Sequence, residues 1–223
     1  MQLKNILITG ASQGIGKALA ELFLAQGYQV MGTSRSSNIE ITHPAFEAKA
    51  LDLTQMESIK EFEAQIASKG TKFNILINNA GIGPDLGTNY PEEKSFDQTF
   101  DVNVKGQVFF TEAMIKHLAV SAKLINVSSK MGSIEQCVGI DSVAYRMSKT
   151  ALNMYTKILT NRYAEQFQIA TIHPGWVRTN ISGDNSKGRF SPEESAAMIF
   201  DFVCSNFKTG IFWNVETNSS SDW

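Results

Sequence analysis

The chain has 223 residues, of which 43% are hydrophobic and 19% charged, proportions typical of a globular protein rather than a disordered one. Because 20 Lys and Arg nearly balance 22 Asp and Glu, the net charge of −2 disfavours nucleic acid or an anionic membrane as the main partner. The two cysteines are too few for a disulfide framework or a zinc site. The start of the chain lacks a signal-peptide pattern, and no apolar run approaches membrane-spanning length. We therefore expect a soluble, cytoplasmic protein.

Short apolar segments alternate with amphipathic helical patterns along the chain. Seven strands are predicted, at residues 3–9, 29–34, 46–51, 73–78, 123–128, 169–173 and 210–215. Several of them are nearly continuous apolar runs, which indicates burial on both faces of a parallel sheet. The alternation predicts one α/β domain over residues 1–223, a doubly wound Rossmann fold with a parallel seven-stranded sheet.

Several helix boundaries can also be predicted. Gly27 is placed to end the first helix, and Thr54 with Glu57 forms a capping-box pattern before the second. The run Ser191-Pro192-Glu193-Glu194 is a stronger helix start, because it combines an N-cap serine, a proline at the first helical position and a glutamate at the third. The polar tail 217–222 is expected to be mobile.

A glycine-rich turn follows the first predicted strand, where the chain reads Thr9-Gly10-Ala11-Ser12-Gln13-Gly14-Ile15-Gly16 and opens into a helix. Glycines at such a turn let the backbone approach a pyrophosphate, and the helix N-terminus offers N–H groups and the positive end of its dipole. The spacing fits neither a Walker A loop nor the usual G-x-G-x-x-G pattern. The turn predicts a dinucleotide site, although glycines needed only for packing would give the same pattern.

The second predicted strand ends in Thr33-Ser34-Arg35. In a dinucleotide fold, an acidic side chain at this place binds the ribose 2′-hydroxyl, whereas an arginine accommodates a 2′-phosphate. No Asp or Glu occurs between Val30 and Asn38, so NADP is favoured over NAD, with Arg35 and Ser34 as donors. A solvated arginine on a turn is the alternative.

Tyr145 and Lys149 are spaced so that a helix would place both side chains on one face. A phenol is mostly protonated at neutral pH, but a nearby ammonium stabilises the phenolate and lowers the pKa of the phenol. Tyr145 could then act as a general acid or base. Taken alone, an exposed helix pair is the simpler interpretation.

Polar or glycine-bearing motifs follow four of the predicted strands. The glycine turn follows the first strand, Asn78-Asn79-Ala80-Gly81 the fourth, Ser129 the fifth and Pro174-Gly175 the sixth. The carboxyl ends of the strands carry the ligand chemistry in an open α/β sheet. The convergence of these motifs on one sheet edge is hard to explain by packing, and a hydroxyl at Ser129 could donate to a substrate carbonyl.

These motifs occur together in a fixed order and spacing: Thr9-Gly10-x-x-x-Gly14-x-Gly16, Asp52-Leu53, Asn78-Asn79-Ala80-Gly81, Asn103, Ser129, Tyr145-x-x-x-Lys149 and Pro174-Gly175. With them, the sequence resembles the short-chain dehydrogenase/reductase family over essentially its whole length. Details in segments 145–149, 173–179 and 191–195 resemble the branch of small carbonyl reductases related to C-factor and sniffer proteins.

The resemblance implies four catalytic residues. Tyr145 would protonate the carbonyl oxygen as hydride arrives from the nicotinamide, or take up the alcohol proton in the reverse reaction. Lys149 would lower the pKa of Tyr145 and hold the nicotinamide ribose. Ser129 would orient and polarise the carbonyl, and Asn103 would position a water for proton relay.

The resemblance also implies the residues that bind the cofactor. Asp52 and Leu53 would contact the adenine, Asn79-Ala80-Gly81 would line its ribose, and Val177 and Thr179 would hold the nicotinamide carboxamide. The expected NADP-binding set, with NADPH preferred over NADH, is Gly10, Ser12, Gln13, Gly14, Ile15, Gly16, Ser34, Arg35, Asp52, Leu53, Asn79, Ala80, Gly81, Tyr145, Lys149, Pro174, Gly175, Val177 and Thr179.

Three details of the expected site stay open. Ser128 could replace Ser129, because side-chain direction alternates along a strand, but Ser129 is favoured. Segment 180–190 would form a short substrate lid, which favours an open pocket and loose substrate choice. Cys137 could line the substrate site, although a partly buried thiol is the simpler interpretation. No metal is expected, since the three histidines lack ligand spacing.

The favoured function is an NADPH-dependent carbonyl reductase acting on a small-molecule carbonyl or alcohol substrate. The alternative is a non-catalytic NADP-binding sensor or signalling protein, which would not need all four catalytic residues. A nucleotide-sugar epimerase is disfavoured, because the chain after Thr179 is too short for a sugar-binding domain. By resemblance, pairing through helices 95–118 and 144–166 implies a homodimer or homotetramer.

Overall fold

The computed structural model describes residues 4–181 and 185–223. Eight strands form its single sheet: β1 (Asn5–Ile8), β2 (Gln29–Ser34), β3 (Phe46–Ala50), β4 (Phe73–Asn78), β5 (Leu118–Val127), β6 (Gln168–His173), β7 (Ile211–Asn214) and β8 (Ser219–Ser220). The strand order is β3-β2-β1-β4-β5-β6-β7-β8, and all neighbours are parallel except β7 and β8. This confirms the single-domain, doubly wound Rossmann fold predicted from the alternation of strands and helices. The sheet has eight strands and not the predicted seven, because the antiparallel β8 is added beside β7.

Six α-helices cover the sheet: α1 (Gly14–Ala25), α2 (Met56–Lys69), α3 (Glu93–Phe100), α4 (Gln107–Met114), α5 (Val143–Tyr163) and α6 (Pro192–Cys204). A π-helical segment, Asp101–Gly106, joins α3 to α4, and a 3₁₀ turn, Ile115–His117, follows α4. The helix predicted over 95–118 is therefore interrupted in its middle. Within the described residues, no helix combines the length and the apolar character needed to cross a membrane.

Both faces of the sheet are buried. On β1, Ile6 and Ile8 belong to one apolar cluster, together with residues of α1 and α6. Leu7 points to the opposite face and belongs to a second cluster, with residues of α2, α4 and α5. Each large side chain that is fully buried in this way contributes about 1.5–3 kcal/mol relative to exposure. The continuous apolar runs of the strands are explained by this two-sided burial.

Two local predictions are wrong. The tail is not free, because β8 pairs with β7 and the amide of Ser221 donates to the Phe212 carbonyl oxygen at 2.8 Å. Those bonds use backbone atoms, so the polar side chains of the tail gave no sign of them. Thr54 does not cap α2, since its hydroxyl donates to Asp52 Oδ1 at 2.7 Å.

The capping box at α6 is present as predicted. The Ser191 side chain accepts from the amide of Glu194, whose carboxylate in turn accepts from the amide of Ser191. The backbone amides of Ser191 and Glu194 thereby both have hydrogen-bond acceptors.

The order of the strands sets the position of the site. The chain runs outward from β1 through β2 to β3, and then returns to the other side of β1 with β4. The loops that follow β1 and β4 therefore lie side by side at the carboxyl edge, which is where open α/β sheets bind ligands.

A buried histidine ends β6 at this same edge. His173 is only 4% exposed, and neither of its ring nitrogens has a hydrogen-bond partner. Glu216 Oε2 lies 3.8 Å from His173 Nε2, too far for a hydrogen bond. Burial, with a smaller contribution from the charge of Lys130, lowers the pKa of His173 to about 3.

The buried His173 predicts a loss of stability on acidification. The unfolded chain takes up a proton below the ordinary pKa of 6.5, whereas the folded chain resists it down to about 3. The contribution of His173 to the free energy of unfolding is thus fully present above pH 6.5. It is lost as the pH decreases, by up to roughly 1.4 kcal/mol per pH unit. We expect His173→Leu to remove this slope in urea unfolding measured at several pH values. The exposed His43→Leu should keep the wild-type slope, and an unchanged slope in His173→Leu would contradict the assignment.

Candidate active site

The glycine turn forms the floor of a cleft at the carboxyl edge of the sheet. Helix α1 begins at Gly14, and its N-cap residue Gln13 makes no side-chain cap. The first amides of α1 are therefore available for an anion. Gly10 has φ +68°, and a Cβ atom there would lie 2.9 Å from Ala80 Cα. The close approach of Ala80 is therefore enough to require glycine at position 10. Gly14 lies next to Thr179, and a Cβ atom there would be 3.4 Å from Thr179 Cγ2.

The cleft has a volume of about 890 Å³, at the upper end of the range for small-molecule sites. Most of the sequence-predicted cofactor residues line it: Gly10, Ser12, Gln13, Gly14, Ile15, Ser34, Arg35, Asp52, Leu53, Asn79, Ala80, Gly81, Tyr145, Lys149, Pro174 and Thr179. Three of the predicted cofactor residues, Gly16, Gly175 and Val177, are not among those that line the cleft. Gly16 packs against the Gly10 carbonyl, Gly175 packs against the Phe190 ring, and Val177 is buried in a bridge with Phe190.

Hydrogen bonds lock the loops after β1 and β4 together. The Asn79 amide nitrogen Nδ2 donates to the carbonyl oxygens of Thr9 and Gly10, at 2.9 and 3.2 Å. The backbone amides of Asn79 and Ala80 both donate to Thr9 Oγ1 at 3.0 Å. The side chain of Asn79 therefore holds the glycine turn in shape, in addition to lining the cleft.

The far end of the cleft carries donors suited to a phosphate. Arg35 is exposed at the end of β2 and lines the cleft. The neighbouring Ser34 hydroxyl is buried and has no hydrogen-bond partner among the described residues. A buried hydroxyl without a partner is costly, so Ser34 fits a site at which a ligand oxygen completes its bonding. Asp52 is engaged with Thr54 on the adjoining wall.

Helix α5 places Tyr145 and Lys149 side by side at the opposite end. Their side chains are almost fully buried, with exposures of 6% and 3%, and Lys149 Nζ lies 5.6 Å from the centre of the Tyr145 ring. Lys149 Nζ donates to the Val127 carbonyl oxygen at 3.0 Å. Burial lowers the pKa of Lys149 to about 8, so the amine is still largely protonated at neutral pH.

The pKa of Tyr145 moves in the direction opposite to the one expected from the sequence. Burial raises it to about 12, a hydrogen bond with Ser129 opposes this, and the charge of Asp85 adds to the rise. Lys149 is not among the causes of this shift, and the low-dielectric surroundings disfavour the phenolate. The phenol is therefore held in its protonated form at neutral pH.

The two serines after β5 have different partners. Ser128 Oγ donates to Asn153 Oδ1 at 2.7 Å, which ties β5 to α5. The Ser129 side chain accepts from the amide of Met131 at 3.1 Å, and it lies near enough to the Tyr145 phenol to lower its pKa. This geometry favours Ser129 over Ser128 as the residue beside a reacting carbonyl.

Asn103 lies in the π-helical segment, a rare conformation that is frequent at functional sites. Its side chain accepts from the amide of Ile82 at 2.9 Å and donates to the Ile82 carbonyl and the Ser148 hydroxyl, at 2.8 and 3.1 Å. A Cβ atom on Gly81 would lie 3.4 Å from both Asn103 Oδ1 and Lys149 Nζ. Asn103 is thus close to Lys149 and well fixed.

Two described residues of segment 180–190 border the cleft. Asn180 and Ile181 line it, and the Ile181 carbonyl oxygen accepts from the amide of Gly83 on the opposite rim at 3.3 Å. Residues 182–184 of the predicted lid lie outside the described residues. Cys137 is exposed, so the expectation of a partly buried thiol is wrong.

Sequence reasoning missed Asp85, which does not line the cleft but holds the backbone of Tyr145. Asp85 is buried in the loop after β4, and its carboxylate accepts from the backbone amides of Ala144 and Tyr145. A single aspartate in an irregular loop has no periodicity or spacing that would have pointed to it. In the part of the chain that the structure describes, no group of three or more His, Cys, Asp or Glu could hold a metal ion.

The cleft fits a dinucleotide phosphate on the chemistry of its donors. The open helix N-terminus suits a pyrophosphate, and the unpartnered Ser34 hydroxyl with Arg35 suits a further phosphate group. Tyr145 and Lys149 close the other end of the same cleft.

Known proteins share this architecture. A short-chain dehydrogenase/reductase from Burkholderia multivorans, with bound NADP, has a TM-score of 0.89 and 27% identity over all of both chains. The NADPH-bound carbonyl reductase from chicken fatty liver has a TM-score of 0.87 and 29% identity, again over all of both chains. The carbonyl reductase Sniffer of D. melanogaster has a TM-score of 0.86 and 26% identity, also over all of both chains. The family model for short chain dehydrogenases matches residues 4–189. The chain therefore belongs to the short-chain dehydrogenase/reductase family of oxidoreductases.

Proposed function

We propose that this oxidoreductase uses NADP(H) to interconvert a carbonyl compound and its alcohol, with Tyr145 as the general acid and base. The observation that carries the proposal is the placement of a buried phenol, next to Lys149 and near Ser129, in the same cleft as the glycine turn. The structural relatives with bound NADP and NADPH support the choice of cofactor.

The cofactor would be held along the whole cleft. The amides at the start of α1 would bind the pyrophosphate, Arg35 and Ser34 the 2′-phosphate, and Asp52 and Leu53 the adenine end. Lys149 would hold the nicotinamide ribose at the other end. When bound, NADPH supplies the hydride that a carbonyl carbon accepts.

The residues of this chain supply the proton and the orientation. The Ser129 hydroxyl would donate a hydrogen bond to the substrate carbonyl oxygen and so polarise it. Tyr145 would then transfer its phenolic proton to that oxygen as negative charge develops there. The ammonium of Lys149 stabilises the phenolate that is left behind, and Asn103 would position the water that returns a proton to the site.

The protonated form of Tyr145 is the form that donates a proton in carbonyl reduction. With its pKa raised to about 12, the phenol is a ready proton donor at neutral pH. Alcohol oxidation needs the phenolate, which would form only at higher pH. The alternative, a non-catalytic sensor of NADP, would leave the buried Ser129–Tyr145 contact and the adjacent Lys149 without a purpose. A short lid over 180–190, loose substrate choice and a cytoplasmic location stay predictions from the sequence.

We also infer a homo-oligomer formed through α4 and α5. Met147, Met154 and Ile158 form an exposed apolar stripe along α5, and Phe109 of α4 is exposed beside it. Hydrogen bonds from Tyr155 and Arg162 of α5 to Glu112 hold the two helices together. Exposed apolar patches of this kind mark protein interfaces, and a second copy of the chain would cover this one.

The stripe on α5 predicts that Met154→Glu separates the subunits, because it buries a charge in an apolar contact. Met154 is 62% exposed in the single chain. Sedimentation should show the variant shifted to a monomer. Val120→Glu, on a still more exposed apolar residue of β5, should keep the wild-type mass. A wild-type protein that is monomeric at all concentrations would contradict the interface.

The role of Tyr145 predicts that Tyr145→Phe lowers kcat for carbonyl reduction by at least about 100-fold, since the phenolic proton is lost. The affinity for NADPH should change little. NADPH oxidation with a panel of aldehydes and ketones, together with NADPH titration, measures both. Tyr90→Phe removes an exposed phenol and should be silent. Near-normal turnover by Tyr145→Phe would disprove the proton-transfer role.

The role of Arg35 predicts a selective loss of NADPH binding. Removing a charged hydrogen bond to the 2′-phosphate costs about 1.5–3 kcal/mol. Arg35→Ala should therefore lower the affinity for NADPH by roughly tenfold to 100-fold. The affinity for NADH should be unchanged. Lys60→Ala, which removes an exposed cation on α2, is the control. Equal effects of Arg35→Ala on NADPH and NADH would contradict the assignment.

A further inference from the structure

Residues 219–223, which we call the clasp, return over the edge of the sheet and bind the loop that follows β5. The clasp begins with β8, the two-residue strand that pairs with β7. At its other end, the backbone oxygen of Trp223 accepts from the amides of Ile134 and Glu135, at 3.0 and 3.4 Å. The Ser133 hydroxyl donates to the same oxygen at 3.2 Å. Three consecutive residues of the loop are therefore bonded to one atom of the clasp.

The side chain of Trp223 anchors the clasp. The sequence of the clasp is Ser-Ser-Ser-Asp-Trp, so this indole is its one apolar side chain. The ring centre lies 5.6 Å from that of Phe212 on β7. Lys157 Nζ, on α5, lies 4.3 Å from the ring centre, within the range of a cation–π interaction, and donates to the Gly210 carbonyl oxygen at 3.2 Å. The indole thus ties the clasp to both β7 and α5.

The part of the loop that the clasp holds gains little from the burial of its own side chains. Residues 134–138 are all exposed, and the apolar Ile134 and Val138 are 72% and 95% exposed. The Gln136 side chain adds a further bond to the clasp, because its Nε2 atom donates to Asp222 Oδ2 at 3.2 Å. A loop with few buried contacts opens easily, so these hydrogen bonds determine how well it is ordered.

This loop connects the two residues that would act on the carbonyl group. It leaves Ser129 through a 3₁₀ turn that ends at Gly132, and it enters α5 just before Tyr145. The Gly132 carbonyl oxygen accepts from Thr150 Oγ1 and Asn153 Nδ2 of α5, at 2.9 and 3.1 Å. Helix α5 therefore fixes the turn beside Ser129, and the clasp holds the residues that come next.

The far end of the loop is held by contacts that do not involve the clasp. Arg146 of α5 donates from Nε to the Asp141 carbonyl oxygen at 2.9 Å and from Nη2 to Asp141 Oδ1 at 2.8 Å. The amide of Ser142 donates to the Thr88 carbonyl oxygen at 2.9 Å. The clasp therefore acts on one half of the loop, residues 133–137.

We propose that Trp223 is a positioning residue that orders residues 133–137 as one wall of the substrate site and so favours the binding of larger carbonyl compounds. This inference rests on the proposed function, because that function makes Ser129 and Tyr145 the residues between which the substrate lies. A loop that must be ordered when a substrate binds lowers the affinity for that substrate. A loop that the clasp has already ordered avoids this cost.

The proposal separates substrate binding from the chemical step. Ser129 and Tyr145 are held through α5 and the turn beside it, so loosening the clasp leaves the proton donor in place. A small aldehyde that does not reach the loop should be insensitive to the clasp. A larger ketone that contacts residues 133–137 should bind more weakly when the clasp is loose.

The test loosens the clasp at its anchor. Trp223→Ala removes the indole but keeps the backbone oxygen, and Trp223→Phe keeps an aromatic ring against Phe212 and serves as the rescue variant. Lys157→Met removes the cation on the other side of the ring while keeping an apolar side chain. Thr217→Ala, between β7 and β8, changes an exposed side chain that bonds to Ser219 and is the control.

The primary measurement is amide hydrogen exchange, which does not require turnover. In Trp223→Ala, we expect the amides of Ile134 and Glu135 to exchange about tenfold faster, because their acceptor is no longer held in place. Lys157→Met should give a smaller increase at the same two amides. Trp223→Phe and Thr217→Ala should exchange as the wild type does, and the amides of β1 should be unchanged in every variant.

A kinetic readout tests the effect on substrate choice. NADPH oxidation is followed with a series of aldehydes and ketones of increasing size. In Trp223→Ala, KM for the larger members should rise by about threefold to tenfold, because the loop must now be ordered on binding. Their kcat, the KM of the smallest aldehyde and the affinity for NADPH should be unchanged. A merely structural role would instead lower kcat for every substrate through loss of folded enzyme.

Three results would overturn the proposal. One is wild-type exchange at Ile134 and Glu135 in a folded Trp223→Ala variant. Another is faster exchange there with no change in KM for any carbonyl compound. The third is unfolding of Trp223→Ala, seen by circular dichroism, together with wild-type exchange in Lys157→Met, which would make Trp223 a core residue alone. A wild-type protein that reduces no carbonyl compound would instead count against the proposed function, while the exchange measurement would still test the clasp.

Discussion

The burial of Tyr145 and Lys149 on one face of α5 is the constraint on which the site depends. The helix is fixed against β5 and the residue that follows it by two buried polar contacts, Asn126 with Thr156 and Ser128 with Asn153. A third, Asn103 with Ser148, fixes it to the π-helical segment. Each such bond contributes only about 1 kcal/mol, but leaving a buried polar group unpaired costs more. The network therefore specifies one position of α5, and with it one position for the phenol and the amine.

Burial has opposite effects on the two groups. It raises the pKa of the phenol and lowers that of the amine, because both charged forms lose solvation. At neutral pH the result is a protonated phenol beside an amine that is still largely charged. This is the protonation state that a reductase needs before it transfers a proton, so the burial of the two groups prepares the chemistry.

Much of the architecture follows from sequence patterns, and what was missed has a physical reason. The parallel strands can be predicted because burial on both faces gives them continuous apolar runs. The motifs at their carboxyl ends locate the cleft. By contrast, β8 is held by backbone bonds, and the π-helical segment at Asn103 looks like ordinary helix in sequence. The direction of the Tyr145 pKa shift depends on burial and on Asp85, which are properties of the folded chain.

The central claim is that this cleft brings a hydride and the proton of Tyr145 to one carbonyl group. The most direct measurement is a single turnover with NADPH deuterated at the transferable position, across a panel of aldehydes and ketones, with mass spectrometry of the products. We expect deuterium on the carbinol carbon of at least one product with the wild-type protein. NADPH that binds tightly but transfers deuterium to no member of the panel would contradict the account.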